Sequence, residues 1–164
     1  MNASATHRSF WQRRVRDPLT ALFVQGLTPD KVALTLGVGA ACSLFPFLGF
    51  TSLLNLGVGV WLRLNQPLLQ TFNQVLGPLQ LMLIVGYVRL GEWLWGDHDG
   101  RFTLTEMLRV FRETSLGDFL RTFGWAGIHA LTAWVLTAPL LVAGVYFALR
   151  PALRRLASKT ITRT

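Results

Sequence analysis

The chain is poor in cysteine and poor in charge. A single cysteine, Cys42, in 164 residues excludes an intrachain disulfide and any cysteine-based zinc cluster. It lies in an apolar run, where a thiol serves as packing. Charged residues make up only 15%, against about 25% in a typical soluble domain. The shortfall is local. No Asp, Glu, Lys or Arg occurs over residues 32–62, 64–88 or 122–149. Tracts of this kind exclude disorder and argue against a water-soluble globule. The first thirty residues also lack an apolar core followed by a small-residue cleavage site, so no cleavable signal is expected.

What is present is grease with basic ends. Hydrophobic residues account for 51% of the chain, and sixteen basic residues against eight acidic ones give a net charge of +8. The bases sit at segment ends: Arg8, Arg13, Arg14 and Arg16 precede the first apolar tract, while Arg150, Arg154, Arg155, Lys159 and Arg163 follow the last. Clusters so placed hold a terminus on the cytoplasmic side and meet anionic lipid head groups. They form no stripe on a polar domain, so nucleic acid is not the expected partner.

Five segments follow. Residues 1–27 are basic, with Asp17-Pro18 as a start signal for a surface helix carrying Leu19, Leu22 and Phe23 on one face. Residues 28–96 hold the first two apolar tracts. A second start, Thr28-Pro29-Asp30, opens the 32–62 tract, which as one helix would measure roughly 46 Å. The hydrocarbon core is about 30 Å thick. Phe45-Pro46-Phe47-Leu48-Gly49 breaks it near its middle. The expected form is a helical hairpin that either just crosses the membrane or re-enters; both leave Arg63 on the side of entry. The next tract, 67–88, is long enough for one span, but Asn73, Gln74, Gly77, Pro78 and Gln80 crowd its first half. Either that face turns inward or the helix breaks at Gly77-Pro78. Residues 97–122 read as an outer loop with Thr103-x-x-Glu106 capping an amphipathic helix (Leu104, Met107, Leu108, Phe111) and Ser115-x-x-Asp118 capping another. Arg89 and Glu92, three apart, form an expected ion pair. Residues 123–149 are a tilted span and 150–164 a basic cytoplasmic tail. The fold class is all-α: a polytopic integral membrane protein with a Pro/Gly-broken hairpin, two further membrane helices and surface amphipathic helices.

Four landmarks between Leu27 and Gly96 fall in a recognisable order: Leu27-Thr28-Pro29-Asp30-Lys31-Val32-Ala33 with Gly37, Phe45-Pro46-x-x-Gly49, Leu62-Arg63-Leu64-Asn65-x-Pro67, and Arg89-Leu90-Gly91. In these the chain resembles the bacterial membrane proteins grouped as domain-of-unknown-function family 2062. The resemblance implies an inner-membrane protein, in some relatives fused to glycosyltransferase-like domains. It implies no catalytic residue. Gly77-Pro78 stands where that family commonly carries Asn-Pro.

The candidate chemistry is sparse. Asp97-His98-Asp99 reads as a solvated turn between Gly96 and Gly100, and no metal site is expected. His129 is an ionisable group inside the last span, either functional or a neutral imidazole hydrogen-bonded to a neighbouring helix. Helix breaks expose free carbonyls and helix ends at membrane depth, which transport proteins use to hold ligands. The expected ligand-binding set is therefore Pro46, Gly49, Asn73, Gln74, Gly77, Pro78 and His129, with no catalytic residue and no cofactor. The expected function is a non-enzymatic inner-membrane module that handles a lipid or small solute, as a homo-oligomer if a wide pathway is required. The alternative is a scaffold that anchors an envelope enzyme such as a glycosyltransferase. Both termini are expected in the cytoplasm.

Overall fold

A computed structural model describes residues 26–96 and 115–161, together with positions 103, 105, 109, 112 and 113. The N-terminal surface helix and the Asp97-His98-Asp99 turn lie outside these residues, as does most of the helix expected to start at Thr103-x-x-Glu106. Four α-helices follow in order, and no strand is present among the described residues: α1 (Pro29–Ser43), α2 (Thr51–Trp61), α3 (Gln66–Trp95) and α4 (Leu116–Ile161).

The sequence signals account for the ends. Thr28 caps α1, its hydroxyl accepting from the Lys31 N–H at 3.3 Å, with proline in the first turn. Asn65 caps α3 in the same way, its Oδ1 accepting from the Leu68 N–H at 2.9 Å. Ser115 accepts from the Asp118 N–H at 3.3 Å and donates to its carboxylate at 2.8 Å, opening α4. The α2–α3 turn is a Schellman motif. The Leu64 N–H reaches the Gly59 carbonyl at 2.8 Å and the Arg63 N–H reaches Val60 at 3.1 Å. Arg63 occupies the left-handed position there, with φ +52°. Gly49, in the hairpin tip, has φ +85°, and Gly96, which ends α3, has +71°. Glycine adopts that region at little steric cost.

The break at Phe45-Pro46-Phe47-Leu48-Gly49 is where the sequence placed it, and α1 and α2 are the two arms of a hairpin. The expected alternative of a second break at Gly77-Pro78 is corrected: α3 runs unbroken for 30 residues with Pro78 inside it. A proline forfeits one hydrogen bond, here to the Gln74 carbonyl, and a long helix tolerates that loss. The other alternative holds for Asn73 and Gln80, which turn inward and are buried, while Gln74 and Pro78 face outward. α4 is also longer than the 123–149 tract. It is one 46-residue helix that continues through Pro139 and Pro151 to Ile161.

Packing is layered along the helices. Val32 and Ala33 of α1 meet Leu68 of α3 and Leu149 and Leu153 of α4 at one end. Val38 and Cys42 pack with Leu64, Leu69 and Val142 in the middle. Ile84, Tyr87 and Val88 meet Ala130, Ala133 and Trp134 at the far end. Hence α1 and α3 run in the same direction and α4 runs against both. Close approach depends on small residues. A methyl on Gly37 would lie 2.9 Å from the Val142 carbonyl oxygen, and one on Gly91 would overlap the His129 backbone.

Among the described residues two helices are long and apolar enough to cross a membrane, α3 and the Gly124–Ser158 part of α4. In their most apolar stretches only 22% and 11% of residues are buried inside the protein. A core helix of a soluble protein would be mostly covered. Here Met82, Val135, Leu136, Leu140 and Phe147 face outward, as do Leu53, Val60 and Trp61 of α2.

Candidate functional site

Polar side chains in an apolar helix either satisfy themselves on their own backbone or reach another element. Thr35, Thr132 and Thr137 do the former, donating to the carbonyls of Lys31, Ile128 and Ala133 one turn back. A second group does the latter, and it gathers where α1 stops and α2 starts. Asn55 of α2 is fully buried and donates from Nδ2 to the Thr51 carbonyl at 3.0 Å and to Ser43 Oγ, at the end of α1, at 3.2 Å. Asn73 of α3 donates to Ser52 Oγ at 3.0 Å. Gln80 of α3 donates to the Phe45 carbonyl in the tip at 2.8 Å. Trp134 of α4 donates from Nε1 to the Ala41 carbonyl at 2.8 Å, and its ring packs edge-on against Phe45.

Much of this set has a structural task. A helix that ends among packed apolar side chains leaves carbonyls without donors. Gln80 and Trp134 supply two. Within this set at the hairpin tip one group is left over. Asn55 Oδ1 is buried and has no hydrogen-bond partner among the described residues. The Thr51 carbonyl requires the amide nitrogen on its side, which fixes the oxygen as the orphan. An unpaired buried acceptor costs about 1–3 kcal/mol.

The seven residues expected to form a site do not come together. Pro46 is buried in the tip and Gly49 forms its exposed left-handed turn. Asn73 joins the hairpin interface, whereas Gln74 and Pro78 face outward and Gly77 is half-buried. His129 belongs to another cluster, at the far end. Its ring lies 5.6 Å from Trp95 and 5.8 Å from Trp125, and Nε2 is buried without a partner among the described residues. The hydrogen bond to a neighbouring helix expected for this imidazole is therefore not made at Nε2. Gly91 lets α3 close on the His129 backbone, and the two tryptophans cover the ring.

Sequence reasoning missed Ser43, Ser52, Asn55 and Trp134. Asn55 carried a signal: it is the only amide in α2 and lies one turn after Thr51 at the start of that helix. Two further contacts lie at the other end of the molecule. Asp30 at the start of α1 is held by Arg150 Nε at 2.7 Å and Arg154 Nη2 at 2.9 Å. The Arg154 guanidinium, then that of Arg150, holds the Asp30 carboxyl below its usual 3.8. On the opposite side Arg89 and Glu92 pair at 3.1 Å, as their spacing predicts. Among the described residues no group of three or more His, Cys, Asp or Glu side chains is placed to hold a metal ion.

Among the described residues the chain forms four helices, two of them long and apolar enough to cross a membrane, with polar contacts gathered at a broken hairpin. The chain belongs to the family described as an uncharacterized protein conserved in bacteria, DUF2062, whose sequence profile matches residues 12–161. The match covers far more than the landmarks between Leu27 and Gly96. No curated protein and no solved structure matches the chain.

Proposed function

We propose that this is a non-enzymatic integral protein of the bacterial inner membrane that holds the polar part of a lipid or small solute at its broken hairpin. The observation that carries the reading is Asn55 Oδ1, an orphaned acceptor on the residue that joins Ser43 and Thr51 at the point where two helix ends meet. A ligand group donating to that oxygen would remove its desolvation penalty. The site contains hydrogen-bonding groups but no charged side chain, since none occurs between Lys31 and Arg63 or between Arg63 and Arg89. A neutral hydroxyl or amide suits it better than an ion, which would need a counter-charge at this depth.

Sidedness follows from charge. Lys31, Arg63, Arg150, Arg154 and Arg155 lie at the end where α1 begins and α4 finishes, which supports reading that end as the cytoplasmic one. A re-entrant hairpin fits best. The 15 residues of α1 extend about 22 Å and the 11 of α2 about 16 Å, both short of the roughly 30 Å hydrocarbon core. Leu48 and Phe50 in the tip are exposed, which suits lipid and not water.

Native mass spectrometry of the full chain, extracted from its own membranes in mild detergent, tests the reading. The expected result is a retained small-molecule adduct that Asn55→Leu removes while the protein stays monodisperse. An adduct-free wild-type protein that co-purifies with an envelope enzyme would replace this reading with the scaffold.

A further inference from the structure

A groove separate from the hairpin tip opens at the cytoplasmic end, between α1, α4 and the α2–α3 turn. Its volume is about 680 Å³. Leu34, Leu62, Leu64, Val142 and Ala143 line it, Pro139 lies at its deep end, and Asp30 and Lys31 stand at its mouth with Tyr146. One end is charged and the rest is apolar, which is the pattern of an amphiphile.

The charge at the mouth has a sign. The Asp30 carboxylate is shared by Arg150 and Arg154, one guanidinium on each oxygen. Two cations against one anion leave a net positive charge. Arg150 also lies over the Tyr146 ring, 5.6 Å from its centroid, which keeps that guanidinium beside the groove. Lys31 is exposed and makes no ion pair among the described residues. The mouth therefore carries a net charge of about +2 at the level of the lipid head groups, directly above an apolar slot that faces the bilayer.

We propose that this groove seats one acidic phospholipid of the cytoplasmic leaflet, with an acyl chain along Leu34, Val142 and Ala143 and its phosphate at Lys31. The site does not depend on a ligand at Asn55. A zwitterionic lipid fills the slot equally well but brings no net charge to the mouth, so selectivity rests on the head group. One unpaired cation at a membrane surface gives a preference of roughly fivefold.

The experiment is photolabelling of the full chain reconstituted in phosphatidylcholine vesicles. The probe is phosphatidylglycerol with a diazirine in one acyl chain, and the control is the same chain on phosphatidylcholine. The phosphatidylglycerol probe is expected to label Leu34, Val142 and Ala143 in excess over Val135 and Leu140, which face lipid outside the groove. The phosphatidylcholine probe is expected to show that excess roughly fivefold more weakly, and Lys31→Gln to bring the two probes together. Lys31→Gln keeps the backbone N–H that Thr28 caps, so α1 retains its start. Even labelling of groove and outer face would overturn the proposal, as would equal labelling of the groove by both probes in the wild-type chain.

Discussion

Arg63 and Gly91 show how one backbone position governs an element junction. Arg63 sits at the left-handed position of a Schellman turn, φ +52°, which costs an L residue about 1–2 kcal/mol. Glycine removes that cost but loses about 0.5–1 kcal/mol more backbone entropy on folding. The balance favours glycine. Arg63→Gly is expected to raise stability by about 0.5–1 kcal/mol in an SDS-titrated unfolding measurement, while Arg63→Lys, which keeps both the charge and the strain, leaves it unchanged. At Gly91 the sign reverses. Its missing Cβ is the space occupied by the His129 carbonyl, which is backbone and cannot swing aside. Gly91→Ala is expected to cost about 2 kcal/mol or more in the same titration and to unstack Trp95 and Trp125 from His129, read as a shift in tryptophan emission. Gly77→Ala, inside α3 with open space around its Cβ position, serves as the control and is expected to raise stability by about 0.5–1 kcal/mol.

At the scale of elements, the clamp between α1 and α4 is electrostatic, and its sign can be worked out. Asp30 titrates below its usual 3.8 in the folded chain because Arg154 and Arg150 bind the charged form. A depressed carboxyl pKa adds stability that is fully present above the unfolded value and is lost as pH falls through the folded one. Stability is therefore expected to be flat from pH 7 to 5 and to decline below about pH 4. Asp30→Asn should lower the plateau and flatten the decline; an identical acid limb in wild type and variant would remove Asp30 as its cause. The residues of this clamp were visible in the chain as a helix-start acid and a basic tail, yet the pairing was not, because contacts 120 residues apart leave no local pattern. The elements themselves were legible. The three caps at Thr28, Asn65 and Ser115 act as their residue types dictate, and Pro46 with Gly49 breaks the first tract. Pro78 misled because proline ends a helix only when neighbouring residues also favour a turn, and Leu79 to Trp95 do not. The site was half legible. Polar residues in an apolar tract announce partners, as at Asn73, but only the fold says that its partner is Ser52 and that Gln74 faces outward.

For the whole molecule the deciding quantity is how far the hairpin reaches. Gln80 meets the Phe45 carbonyl about 21 Å along α3 from Gln66, beyond the middle of a roughly 30 Å hydrocarbon core. Phe47 extends further, its ring 3.3 Å from where a Cβ on Gly127 would lie. In the proposed topology the tip therefore reaches at least the outer half of the bilayer. Crossing would put Leu48 and Phe50, both exposed, into water and leave the Gln80 and Trp134 donors to serve carbonyls that water already satisfies. Stopping short keeps the apolar tip in lipid and gives those two donors their purpose. Single-cysteine labelling in intact cells with a membrane-impermeant maleimide separates the two arrangements. Cys42, buried in the core, is replaced by alanine as the background. Leu48→Cys is expected to remain unlabelled from outside, whereas Gly96→Cys, at the end of α3 proposed to face outward, beyond Trp93 and Trp95, is expected to label readily. Arg63→Cys, on the turn proposed to face the cytoplasm, is expected to label only after the membrane is opened. Outside labelling at Leu48 would make the hairpin a pair of true crossings, and the carbonyl-satisfying role of Gln80 and Trp134 would fall with the re-entrant form.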